Sequence, residues 1–576
     1  MSGPAGPRKA SVLGAVPVLL ALLLAAPVAV GLAGVVLPAF GYLPALGGDG
    51  FSLQPLRDVL AAPGIGVSMG LSFAAGLLTT AVSLAGVALF LAAFSHSRTM
   101  RVMRQALAPL LAVPHAAAAF GILFLIAPSG LLFRLAAIPL GFERPPDLLI
   151  IGDPYALAMM AALVAKEMPF LMLVALAALP QADPERRQML ARSLGYGRMA
   201  GFLLTVWPSV YRQIRLPVIA VAAFASAVVD VALILGPSTP APLAVRLIGW
   251  MNDPDLAMRF QASAGALVQL VVTLAVILAW LGVERAGGYL VRREAGKGRR
   301  HVSDAAWRAF AALPVPLAGL AVFLGLMLLL LWSVAGFWGF PDLLPPTLNL
   351  QSWQRTLDSA GGPLWTSFVV ALAAATIALG LVVILLEARR RRFLAARAGE
   401  VRLPSAIAGL IYLPLIVPQI AFVFGLQVLT LVAGLTPSLP LLVAVHLIFV
   451  APYAALALAD PWFALDPRYE RVAAGLGRSG WATFLRVRLP MLTAPILTAL
   501  AIGFAVSIGL YLPTVLIGAG RLPTITTEAV ALAAGGNRRV IGAYALLQTA
   551  LPFLAFAAAS LAPVLLARGR RGMRAP

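Results

Sequence analysis

Apolar residues fall along this chain in twelve long stretches, most of them about 20 residues or more, separated by shorter polar segments. The stretches run near 12–38, 64–94, 106–127, 155–179, 216–235 and 262–283, and then near 314–337, 363–386, 404–432, 439–459, 494–517 and 541–566. An α-helix needs about 20 apolar residues to cross the hydrocarbon core of a bilayer. The pattern therefore predicts an all-α integral membrane protein of about twelve transmembrane helices. Glycine and proline inside the stretches do not argue against helices, because membrane helices tolerate both. The first stretch, with Arg8 and Lys9 before it, could pass for a signal peptide. Its apolar run is much longer than a signal core of about 7–15 residues, so it reads as a retained helix.

The polar segments carry the charge, and they carry it unevenly. With the N-terminus placed in the cytoplasm, 33 of the 43 lysines and arginines fall on the inner side and nine on the outer, with Lys166 inside a span. Cytoplasmic loops of membrane proteins are enriched in these residues. The asymmetry predicts twelve crossings with both termini cytoplasmic. It also accounts for most of the formal net charge of +21 without nucleic acid.

Composition agrees with a lipid environment: 61% of residues are hydrophobic and 11% charged, against about 25% charged in soluble domains. The absence of cysteine excludes disulfides and thiolate metal sites. His96, His115, His301 and His446 show no ligand-like spacing and read as ordinary polar or core residues. No catalytic, metal or cofactor site is expected.

A basic polar segment, 285–308, divides the chain near its middle, and the two sides repeat each other at an offset of 282. ARSLGYGRMAGFLLTVWP from Ala191 and AAGLGRSGWATFLRVRLP from Ala473 share seven of 18 positions, among them Leu194/Leu476, Gly195/Gly477, Phe202/Phe484, Leu203/Leu485 and Pro208/Pro490. Six spans per side is an even number, so the copies share one orientation, a parallel repeat. The reading is a first repeat over 1–284 (core about 64–284), a basic cytoplasmic linker over 285–312, and a second repeat over 313–576 (core about 363–567). Each copy of the repeated segment lies in the cytoplasmic loop between the fourth and fifth spans. It predicts two short helices broken at a left-handed glycine, the second closed by the proline. Leu194, Met199, Phe202, Leu203 and Val206 are spaced to share one helical face, as are Leu476, Trp481, Phe484 and Leu485.

At these residues the chain resembles the permease subunits of binding-protein-dependent ABC importers, of the MetI-like type. Their loop reads roughly EAA, three residues, Gly, nine residues, Ile, any residue, Leu-Pro. The glycine and proline elements match. The EAA triplet does not: it is Met189-Leu190-Ala191 in one copy and Arg471-Val472-Ala473 in the other. Two permease domains in one polypeptide look most like the fused permeases of thiamine and ferric iron importers. The stretch 518–552 looks especially like an uncharacterised branch that carries a thiamine-permease label. The resemblance implies that each loop docks in a groove of an ATPase subunit. It further implies two ATPase copies, an extracytoplasmic solute-binding protein and surrounding lipid as partners. The chain has no GxxxxGK[ST] phosphate loop; EAGKGRR around Lys297 lacks both the spacing and the Ser/Thr. ATP hydrolysis is thus expected on a partner, and the chain itself is not expected to be an enzyme.

Ionisable residues inside spans are costly and face a cavity or a partner. Lys166, Glu167 and Asp230 are such residues; with Pro169 aligned to Pro452 the first two fall opposite Phe449 and Val450, and at the offset of 282 Asp230 corresponds to Leu512. One reading has Glu167 and Asp230 line a solute route that favours a cation or hydrogen-bond donor. The other has Lys166 or an arginine neutralise a carboxylate structurally. Pro169 and Pro452 read as kinks. A twelve-span secondary transporter with 6+6 repeats is the alternative architecture.

Overall fold

The structure is a computed structural model that describes residues 12–95, 97–300, 303–396 and 410–566. His96, His301, Arg8, Lys9, Arg397, Arg402, the four C-terminal arginines and the first residues of the 404–432 stretch lie outside the described residues.

The described residues form helices and connecting loops, with two isolated β-bridges. The main helices are α1 (Val12–Ala39), α2 (Ile65–Phe94), α3 (His115–Ile126), α4 (Leu131–Leu140), α5 (Leu157–Ala178), α6 (Trp207–Ser226), α7 (Asp230–Leu235) and α8 (Met258–Gly296). They continue with α9 (Pro314–Val334), α10 (Gln351–Ala396), α11 (Gln419–Val432), α12 (Leu439–Ala464), α13 (Thr493–Gly509), α14 (Leu512–Gly518) and α15 (Arg538–Leu566). Among the described residues, nine helices are long and apolar enough to cross a membrane, or up to eleven if two bent pairs each count as one.

The twelve expected stretches are shifted, divided or bent in four places, one of them the 494–517 stretch, which divides into α13, ending at Gly509, and α14, beginning at Leu512. The third helix starts at His115 rather than near Ala106, because the polar segment Arg98–Leu107 folds as its own helix and Pro114 opens the next one. The expected 216–235 span is divided: α6 starts earlier, at Trp207, and stops at Ser226, and α7 begins at Asp230. The 404–432 stretch bends by 104° between Leu410–Ile416 and Gln419–Val432, next to Pro418.

Lipid-facing surfaces are legible on α9. Leu317, Leu320, Phe323, Met327 and Leu330, three or four residues apart, are 43–55% exposed, while Val315, Ala318, Val322 and Leu329 are buried. A helix apolar on its buried and its exposed face alike belongs in hydrocarbon.

Packing follows one order on both sides of the 285–308 segment. α2 packs on α5 and α6, as α10 packs on α12 and α13; α6 packs on α8, as α13 packs on α15. The first helix of each side reaches across to the other side: α1 lies on α11, and α9 lies on α3. Glycine makes both crossings possible. A Cβ on Gly425 would stand 1.8 Å from the Gly31 carbonyl oxygen, and one on Gly121 would stand 2.8 Å from the Gly325 backbone. Small residues at such interfaces let helix backbones approach where lipid supplies no hydrophobic drive.

Candidate functional site

A cavity of about 320 Å³ lies where the two sides meet. It is built from corresponding elements: the start of α3 (Val113, Pro114, His115) with the start of α11 (Val417, Pro418, Gln419), α5 with α12, and the α6–α7 break with the α13–α14 break. Broken helices expose unpaired backbone groups, which membrane proteins tolerate where they line a cavity. Corresponding positions carry unlike side chains. Lys166 lies opposite Phe449, Phe170 opposite Tyr453, His115 opposite Gln419 and Asp230 opposite Leu512. The cavity thus combines pairwise backbone geometry with charge on one side only.

All three expected intramembrane residues, Lys166, Glu167 and Asp230, line this cavity and are buried. Their partners differ from the structural alternative. The Lys166 ammonium does not bond to Glu167; it donates to the carbonyls of Leu110 at 2.8 Å and Leu111 at 3.5 Å, at the end of the 3₁₀ turn Ala108–Ala112. A cation against the last carbonyls of a helix is a favoured arrangement. Glu167 instead meets His115, Nε2 to Oε1 at 2.8 Å. The His115 ring packs on Phe224 with centroids 4.8 Å apart. Asp230 is the first residue of α7, with its own N–H, that of Val231 and the His115 ring as its polar surroundings.

His115 is the residue that sequence spacing missed as a site residue. A second repeat would have found it: VPHAAAAFG from Val113 and VPQIAFVFG from Val417 share five of nine positions, at an offset of 304 rather than 282. His446, by contrast, is the core histidine expected, bonded within α12, α13 and α14 to Ser507 (2.7 Å) and Thr514 (3.0 Å).

The repeated loops form a second candidate site. In the first, helices Pro184–Ser193 and Arg198–Thr205 flank Gly195 at φ 82; in the second, Arg468–Gly475 and Gly480–Thr483 flank Gly477 at φ 74. Both turns make the same bonds. Tyr196 N–H reaches Ala191 C=O and Arg478 N–H reaches Ala473 C=O, each at 3.0 Å, which is the wide bond of a Schellman motif. Positive φ is available to glycine at little cost, so each glycine sets the angle between its two helices. The prolines act differently in the two loops. Pro208 stands in the first turn of the following helix and opens it, where a missing N–H costs nothing, whereas Pro490 lies at the end of the continuous helical run Gly480–Met491, before the 71° bend into α13.

The predicted apolar faces are divided too. Met199, Phe202 and Val206 are buried against the chain's own helices and Leu203 is partly buried, whereas Leu194 is 59% exposed. In the second loop Leu476, Trp481 and Leu485 are 76%, 69% and 55% exposed, and Phe484 is half-buried between Trp462 and Trp481. Arg300 and Asp304 lie against the first loop: Gly197 N–H bonds to the Arg300 carbonyl at 2.9 Å, and Asp304 accepts from Met199 N–H at 3.1 Å. In the second loop Ser479 makes that cap itself, accepting from Ala482 N–H at 3.2 Å.

The second loop is tied to α10 by charge. Arg488 is buried, bonds to Glu387, lies 3.1 Å from Glu470 as a charge contact without hydrogen-bond geometry, and stacks over Trp462 at 4.7 Å. Arg390 of α10 also meets Glu470 at 3.1 Å. Removing one member of such a buried group leaves the others uncompensated, which costs about 3–5 kcal/mol. Arg488→Ala is therefore expected to lower the melting temperature of the detergent-solubilised chain clearly, measured by differential scanning fluorimetry. A melting temperature equal to that of the parent would refute a structural role for this cluster.

No protein-family profile matches the chain. Individual relatives do. The inner membrane ABC transporter permease protein YnjC of Escherichia coli K12 is 31% identical over 468 residues, 81% of this chain and 82% of the relative. The thiamine transport system permease protein ThiP of the same organism is 29% identical over 414 residues, 69% of this chain and 70% of the relative. The molybdate/tungstate transport system permease protein WtpB of Thermococcus kodakarensis is 35% identical over 88 residues, 15% of this chain and 35% of the relative.

Proposed function

The chain belongs to the ABC transporter permeases, and we propose that it is the membrane subunit of an ATP-driven importer, coupled through its two glycine-centred loops to two copies of a separate ATPase. The observation that carries the coupling is the pair of loops, alike in glycine conformation and in bonding pattern. Two such loops offer two docking points. The docking contacts on this reading are the exposed Leu194, Leu476 and Leu485, with Gly195 and Gly477 fixing their approach. Phe202, Leu203, Phe484, Pro208 and Pro490 hold the loops to the body of the chain. An exposed apolar face on a short helix seats in a groove by burying that face.

The repeats span 1–284 and 313–576, joined by the linker 285–312, with both termini cytoplasmic in an inner membrane. The like order of helix packing on the two sides supports this division. The cavity is the solute route, lined by Lys166, Glu167 and Asp230, and the resemblance points to thiamine or ferric iron, delivered by an extracytoplasmic binding protein. Transport follows from rigid-body rocking of the two sides, a two-state motion that needs nucleotide on the partner.

The test is uptake of labelled thiamine by cells that hold cytoplasmic ATP constant while a proton-gradient uncoupler is applied. Persistent uptake is expected; abolished uptake would point to the secondary-transporter architecture instead. In the same assay Glu167→Gln is expected to lower uptake at least tenfold, because His115 then loses its anionic partner at the cavity wall. Uptake equal to the parent would remove Glu167 from the route.

A further inference from the structure

The polar side chains of the cavity are not all paired. Lys166 is engaged by backbone carbonyls, and Glu167 is engaged by His115. Asp230 is 7% exposed and lines the cavity; among the described residues its carboxylate has no ion pair and no side-chain hydrogen bond, only the His115 ring nearby. A buried carboxylate without a bonded cation is costly unless a ligand brings one.

The rest of the lining is aromatic and apolar. Phe170 and Tyr453 face the cavity from matching positions, Tyr511 lies close enough to Asp230 to interact electrostatically, and Phe224, Phe449 and Phe556 add further rings. Aromatic faces attract cations, more strongly where water is excluded. They also stack on planar rings. The volume of about 320 Å³ is at the lower end for small-molecule sites, which run from about 300 to 1,000 Å³. No group of three His, Asp or Glu among the described residues is arranged to hold a metal ion, so the cavity supplies counter-charge rather than chelation.

We propose that this cavity is a solute-binding site within the membrane for a small organic cation carrying an aromatic ring, with Asp230 as its counter-charge, and that it disfavours oxyanions. This rests on the importer reading only in taking the cavity as the solute route. It decides between the two solute chemistries left open there, in favour of the organic cation.

The experiment is equilibrium dialysis with the full chain in lipid nanodiscs, using thiamine as an aromatic organic cation and molybdate as an oxyanion. Thiamine is expected to bind and molybdate not to bind. Asp230→Asn is expected to weaken thiamine at least tenfold, while Asp230→Glu, which keeps the charge, stays within about threefold of the parent. Size-exclusion chromatography of each variant checks that both remain monodisperse. Unchanged thiamine affinity in Asp230→Asn, molybdate binding to the parent, or no thiamine binding to the parent would each overturn the proposal. ATPase retention, scored in parallel from solubilised membranes, separates the two readings. A chain that keeps its ATPase but binds no thiamine loses only the cavity assignment. A chain that binds thiamine through Asp230 but holds no ATPase keeps the site and loses the importer reading.

Discussion

Gly425→Leu is expected to prevent assembly of a stable chain. At this position α1 lies directly on α11, and even a Cβ would stand 1.8 Å from the Gly31 carbonyl oxygen. No rotamer relieves that contact, because the obstacle is backbone on both sides. Overpacking a core costs about 1–3 kcal/mol and at times more; here the helices must separate, so the cost lies at or beyond the top of that range. The expected readout is loss of the monodisperse peak in fluorescence-detected size exclusion. Gly121→Leu should do the same at the matching crossing of α3 and α9, where Gly325 provides the facing backbone. Gly380→Leu is the control, since nothing lies within 4 Å of its Cβ position. A monodisperse Gly425→Leu chain with the stability of the control would refute the close crossing.

Gly195→Val combined with Gly477→Val is expected to reduce uptake to background while the chain remains folded in the membrane. Both glycines have positive φ, where a β-branched residue pays a steric penalty of roughly 1–2 kcal/mol and escapes it by changing the turn. At Gly477 nothing lies within 4 Å of the Cβ position, so the effect there is conformational and not a clash. At Gly195 the Cβ also meets the Arg300 side chain at 2.7 Å. The penalty is small against the stability of the membrane body, and large for the angle at which each helix pair presents its exposed leucines. Full uptake by this double variant would count against the loops as coupling elements.

Much of this was legible in the chain. Long apolar runs and the placement of arginine specify an all-helical membrane protein, because lipid imposes length and charge rules that water does not. The loop glycines were legible for the same kind of reason: a glycine at a fixed distance from a proline has few structural uses, and the left-handed turn is one of them. What escaped the sequence depends on contacts between distant segments. Hydropathy saw one apolar run over 216–235, whereas the chain breaks before Asp230 and turns that carboxylate toward the cavity. One reading had Lys166 or an arginine neutralise a carboxylate; the helix instead aims the ammonium at carbonyls 55 residues or more away in sequence, and His115 meets Glu167. Phe202 matched a docking face by spacing alone, but spacing does not say which way a face points, and here it points into the protein. The crossing of α1 onto α11 has no sequence period at all, and only Gly31, Gly34 and Gly425 hint at it.

The most direct test of the account is native mass spectrometry of the complex purified through this chain from membranes that also express its ATPase. The account predicts one 60.1 kDa chain carrying two identical ATPase subunits, with both lost in the Gly195→Val, Gly477→Val variant. A parent chain that purifies alone, or with a single ATPase copy, would contradict it.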